Sequence, residues 1–171
     1  MPISMSSASL PIFRLMLGNL DHFLDKAQAC AEAKKFDPAV LTQYRLAPDM
    51  LPFSRQIMMA CDGAKLGIAR LSGVAAPKFE DTETNIPELK ARIRKTLDYL
   101  DSVPASTIDG TEDKDITFPV GRDKTRAMKG EAYLKCWMLP NFFFHVTTAY
   151  AILRHNGVEL GKTDYLLGSQ T

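Results

Sequence analysis

The stretch "LPNFFFHVTTAYAILRHNG", residues 139–157, decides how this chain folds. With the residues just before it, it places Leu134, Met138, Phe142, His145, Ala149 and Ile152 at steps of three and four. That is the period of one helix face. With His145 set at zero, Leu134 and Ile152 fall at about −20°, Met138 at about 20°, Ala149 at about 40° and Phe142 at about 60°. His145 therefore sits in the centre of an apolar stripe and faces a helical core. Asn141 and Thr148 lie on the same side, at about −40° and −60°. Phe143, at about 160°, points away. Gly157 caps the helix, and Pro140 should kink it or split it in two.

Three more helical segments precede this one. The first runs from about Ser6 to Ala33, with Leu10, Phe13, Leu17, Leu20, Leu24 and Ala27 on one face. Asp37-Pro38 then opens a brief helix. The second begins near Pro48-Asp49 and ends at Gly73, its stripe running from Met50 and Phe53 through Ile57, Cys61, Ala64 and Ile68 to Leu71. The third starts near Thr84 or Asn85, carries Leu89, Ile93, Leu97 and Leu100, and stops before Pro104. Between Asp115 and Lys129 the period changes to two around a Gly-Arg-Asp-Lys turn, which predicts a small β-hairpin. Four amphipathic helices of this length predict an all-α four-helix bundle, with the hairpin inserted before the last helix.

Length and charge bound the function. The 171 residues suit one domain, spanning 1–171. Lys and Arg number 21 against 20 Asp and Glu, so the chain lacks the cationic excess of a nucleic-acid binder. The basic run Lys90, Arg92, Arg94 and Lys95 reads as a solvated helix face. The three cysteines, Cys30, Cys61 and Cys136, are scattered and odd in number, so a reducing cytoplasm is the expected home. No signal peptide or apolar run long enough to span a membrane is visible in the sequence. GVELGKT at 157–163 has one residue too few between its glycines for a phosphate loop and follows a helix rather than a strand.

A buried imidazole needs a hydrogen-bond partner. His145 is either a pocket residue, acting as ligand or general base, or a core residue bonded to Asn141, Thr148 or a carboxylate from another helix. His155 lies about 15 Å along the same helix, too far to share an ion with it. His22 falls opposite the apolar stripe of the first helix and should face solvent. Asp49 either faces a pocket at the end of the bundle or caps the second helix. The outward Phe143 either packs under the hairpin or the N-terminal segment or, with Met58 and Met59, marks a dimer surface.

Three segments carry a family likeness: "RLAPDMLPFSRQ" at 45–56, "RLSGVAAPKFEDTE" at 70–83, and "LPNFFFHVTTAYAILRHNGVELGK" at 139–162. With them the whole chain resembles the DinB/YfiT-like superfamily of four-helix bundles, and within it an uncharacterised bacterial domain-of-unknown-function branch. The resemblance implies a pocket at His145. The superfamily's usual site is three histidines, one on the second helix and an HxxxH pair on the fourth. His145 matches the first of that pair, but the next position is Ala149 and the second helix has no histidine.

The expectation is a degenerate, metal-free site around His145 that binds a small molecule. Asn141, Thr148 and Met50 line it, and His145 and Asp49 are its catalytic pair if it is an enzyme. No cofactor is expected, and a divalent metal at His145 is disfavoured. The first alternative is a non-enzymatic homodimeric interaction protein with a structural His145. The second is a divalent-metal-dependent enzyme of the DinB type.

Overall fold

The computed structural model describes residues 3–168. Four long helices form the bundle: α1 (Leu10–Lys34), α3 (Phe53–Ser72), α4 (Ile86–Ser102) and α6 (Leu139–His155). Around the core their order is α1, α4, α3, α6, each packed on the next and α6 closing on α1. α3 and α6 run antiparallel, because Gln56 meets His145 while Gly67 packs near Met138. The fold is thus an all-α four-helix bundle. Its centre is apolar: Phe13, Leu17, Phe53, Ile57, Phe142 and Ile152 are fully buried, and the Phe13 and Phe142 rings meet edge to face at 4.8 Å.

Local chemistry sets the helix ends. Asp37 Oδ1 accepts from the Ala39 N–H at 2.9 Å and opens α2 (Ala39–Gln43), as the sequence predicts. Asn85 caps α4 by accepting from the Glu88 N–H at 3.0 Å, while Glu88 reaches back to the Thr84 N–H at 2.7 Å. Gly73 ends α3 at φ 80, a left-handed turn that favours glycine.

The start of α3 corrects the sequence reading. The helix begins at Phe53 rather than near Asp49, and its N-cap is Pro52. A start at Asp49 needs the residue-52 N–H to bond the Pro48 carbonyl, and proline has none. Pro52 also forces Leu51 out of the helical region. Met50 and Asp49 consequently lie in a loop, and Asp49 is an exposed loop residue rather than the helix cap.

The fourth helix is split, as Pro140 requires. It begins as α5 (Gly130–Tyr133), widens into a π-helical stretch over Leu134–Met138, and resumes as α6. In a regular helix the Pro140 ring would press on the Cys136 carbonyl; the wider turn just before it gives that ring room. The hairpin forms as predicted, with β1 (Asp115–Pro119) antiparallel to β2 (Thr125–Lys129) and Pro119 opposite Thr125. Its Ile116 and Phe118 are buried, and Phe118 packs on Tyr133 and Trp137 at ring distances of 4.8 and 5.0 Å.

A short C-terminal helix, α7 (Lys162–Leu167), lies against α1 and was not legible as a helix. It overturns the solvent-facing reading of His22, whose Nε2 is 3.0 Å from Asp164 Oδ1, beside Lys26 Nζ at 2.7 Å from the same oxygen. Phe143 is partly buried and packs against Phe142, and Phe144 is the exposed phenylalanine, at 55%. One further expectation fails: Met58 is buried rather than on the surface. His155 is exposed at the end of α6, as expected.

Candidate functional site

His145 is buried where the helical period places it. Its partner is not one of those expected. Nδ1 lies 2.8 Å from Gln56 Oε1 on α3, and the Gln56 amide in turn donates to the Leu51 carbonyl at 2.9 Å. Burial pushes the His145 pKa below its ordinary value, so the ring is neutral at pH 7 and Nδ1 carries the proton that Oε1 accepts. Thr148 is buried too, but its hydroxyl is spent on the Phe144 carbonyl at 2.7 Å. Asp49 stands apart on the exposed loop.

The donor set here does not fit the three-histidine metal centre of the superfamily. His145 offers a single free nitrogen, Nε2, since Nδ1 is engaged with the Gln56 carboxamide, and Ala149 offers nothing. Among the described residues, no three His, Cys, Asp or Glu side chains are grouped to hold an ion.

One turn before His145 on the same face, Asn141 leads into an open cavity. This groove, of about 300 Å³, lies between α3, the α5–α6 segment and the hairpin. Its lining includes Asp62, Gly63, Arg70, Tyr133, Trp137 and Asn141. Gly63 lies beside Asn141: a Cβ there would lie 3.5 Å from Asn141 Nδ2. Arg70 Nη1 donates to the Tyr133 hydroxyl at 2.9 Å, and its guanidinium sits 5.8 Å from the centre of the Phe118 ring. The groove thus combines a fixed cation, an amide, a hydroxyl and an indole face, with the one carboxylate on its lining, Asp62, paired with Lys65 and Arg92. Such a set recognises a flat molecule bearing an acidic group. Of the predicted pocket residues, Asn141 alone lines it.

On the other side of α3 stands a charge network that the sequence reading missed. Arg92, read as part of a solvated face, is 2% exposed. Nη2 contacts Asp62 at 2.9 Å and Asp81 at 3.1 Å, and Nη1 contacts Glu83 at 3.0 Å and donates to the Glu80 carbonyl at 3.2 Å. Burial works against the charge, but Glu83 and Asp62 outweigh it and hold the Arg92 pKa above the usual arginine value. Lys65 Nζ joins at 2.9 Å from Asp62, and Arg55 binds Asp81 at 2.8 Å. Cys61 beside them is inert: burial pushes its thiol up to about 12, against the smaller pull of the Thr96 hydroxyl and the Arg92 charge.

Comparison with known proteins fits this geometry. Residues 5–166 match the family described as Domain of unknown function (DUF1993). The chain belongs to the DUF1993 family. A crystal structure of a DinB family member protein from Shewanella denitrificans superposes on this DUF1993 chain with a TM-score of 0.86. The two are 42% identical, over 94% of this chain and 90% of that one. A search of curated proteins found no match. Among the described residues no helix is long and apolar enough to cross a membrane.

Proposed function

We propose that this DUF1993 bundle binds a small planar anion in the groove beside Asn141, without a metal. One observation carries the reading: Arg70, Tyr133 and Asn141 line one cavity of about 300 Å³ together with Gly63. Arg70 supplies the charge, Trp137 the stacking face and Asn141 the hydrogen bond that fixes orientation. His145, bonded to Gln56, is a positioning residue that sets the α3–α6 spacing behind Asn141. The three free cysteines suit a reducing compartment, so a cytoplasmic location belongs to the same proposal.

Trp137 is the only tryptophan, so its fluorescence reports directly on the groove. Titration with aromatic carboxylates, beginning with benzoate and 4-hydroxyphenylacetate, should give a saturable change. Gly63→Leu fills the groove and should abolish it, and Arg70→Leu should weaken binding about tenfold or more. Binding that is unchanged in Gly63→Leu, or absent across the panel, sinks the proposal.

A second reading, a homodimeric interaction protein, draws on the 55% exposure of Phe144 next to His145. Sedimentation of the wild type and Phe144→Ser at micromolar concentration tests it. A dimer lost in the variant supports it, and a monomeric wild type removes it.

A further inference from the structure

The segment Gly73–Asn85 crosses from α3 to α4 as a strap, and its acidic residues meet cations of both helices. It forms no helix or strand. Near its ends the Tyr99 hydroxyl donates to the Val74 carbonyl at 2.9 Å and the Thr42 hydroxyl to the Thr84 carbonyl at 3.0 Å. In the middle the hold is ionic, through Asp81 and Glu83 on Arg92 and Asp81 on Arg55. The one aromatic anchor is Phe79, half-buried, whose ring lies 3.7 Å from Lys65 Nζ and 5.1 Å from the Arg92 guanidinium.

Between the strap and α4 lies a second cavity, of about 370 Å³. Its lining includes Lys78, Phe79, Glu83, Arg92 and Lys95. Arg92 is nearly fully buried, and its Nε has no partner among the described residues. Lys95 is likewise without an ion pair there, and Lys78 reaches only Glu80, at 3.8 Å with both side chains exposed. Of the other acids on the lining, Glu88 is committed to capping α4 and Glu80 is exposed. With Asp81 and Glu83 displaced, Arg55, Lys65 and Arg92 would face Asp62 alone, a net charge of +2 from these four groups.

We propose that this cavity is a phosphate-binding site, in which Asp81 and Glu83 occupy Arg92 until a phosphate group takes their place. The strap is then an internal competitor. The incoming phosphate draws on Lys78 and Lys95 at the mouth and on Arg92 at the base, in the bidentate manner that guanidinium favours. Displaced carboxylates return to water, which lowers the cost of exchange. This cavity shares no lining residue with the Asn141 groove, although Asp62, which lines the groove, also pairs with Arg92.

Inorganic pyrophosphate is a sufficient probe on the full chain. Hydrogen exchange of residues 74–84 should rise with millimolar pyrophosphate and stay flat in sodium chloride of matched ionic strength. The Asp81→Asn/Glu83→Gln variant, checked for folding by circular dichroism, should bind pyrophosphate about tenfold tighter by calorimetry because its competitor is gone. In that background Lys78→Gln/Lys95→Gln should weaken binding several-fold. Equal opening by chloride and pyrophosphate would overturn the proposal, as would a folded double variant that binds no tighter than wild type. If that variant does not fold, the exchange comparison on the wild type still decides.

Discussion

The His145 ring and the Gln56 carboxamide meet 2.8 Å apart across the α3–α6 interface. This bond joins a helix with no histidine to the one histidine that the family likeness singled out. Removing the acceptor strands a buried N–H, so Gln56→Ala should cost about 1–3 kcal/mol in urea unfolding. Burial holds the folded His145 pKa below the ordinary 6.5, so below that value the unfolded chain binds the extra proton. The contribution is therefore complete above about pH 6.5 and is lost as pH falls toward the folded pKa. The wild type should lose stability between pH 7 and 5 more steeply than His145→Leu. Parallel slopes for the two proteins would show that the ring is not held neutral by the fold.

Arg92 holds three carboxylates at once, those of Asp62, Asp81 and Glu83. Arg92→Met leaves Asp62, Asp81 and Glu83 without their shared cation and should destabilise by about 3–5 kcal/mol. Arg92→Lys should recover only part of this, because an ammonium cannot reach carboxylates on two sides at once. Denaturant midpoints for the two variants check the order. Arg92→Lys matching the wild type would reduce the network to simple charge neutralisation.

Four bundle helices, the hairpin and the Pro140 break could be read from the sequence because each rests on local periodicity or proline geometry. The start of α3 was misread although its signal was present: Pro48 and Pro52 are four apart, and the second lacks the N–H that a start at Asp49 demands. The Arg92 network was hidden because a basic residue beside an apolar stripe reads as solvated until the chain that covers it is known. That cover is the acidic strap, whose position no periodicity encodes. His145 was placed by its angle, but its partner was not, since Gln56 is 89 residues away. Gly63 and Gly67 did carry a usable signal. Two glycines four apart on one helix face mark a close approach by another segment: Gly63 lines the groove beside Asn141, and Gly67 lies against Met138.

Asp164 ties α7 to α1. Burial acts to raise its pKa, but Lys26, the Gly161 N–H and His22 together bring it down to about 2. With the folded value depressed, the contribution is whole above the unfolded value of 3.8 and disappears as pH falls toward 2. Asp164→Asn should undock α7 locally, raising amide exchange of residues 162–167 about tenfold at neutral pH while α3 and α6 stay protected. Uniform protection across α7 in the variant would show that Phe23, Tyr150 and Tyr165, whose rings pack together there, hold it without the charge.

At Gly67, α3 meets the π-helical stretch too closely for a side chain to be added freely. A Cβ at this position would lie 2.5 Å from Met138 Sδ and 2.8 Å from its methyl. The obstacle is the end of a flexible side chain, so Gly67→Ala should cost about 1–3 kcal/mol rather than prevent folding. Met138→Ala removes the obstacle and leaves a void of its own, costing about 2–5 kcal/mol. The new methyl partly fills that void, so the double variant should be more stable than the sum of the two, with a favourable coupling of about 1 kcal/mol or more. Thermal unfolding of all four proteins measures that coupling. Simple additivity would mean that Met138 swings aside at no cost and that the glycine is not required by this contact.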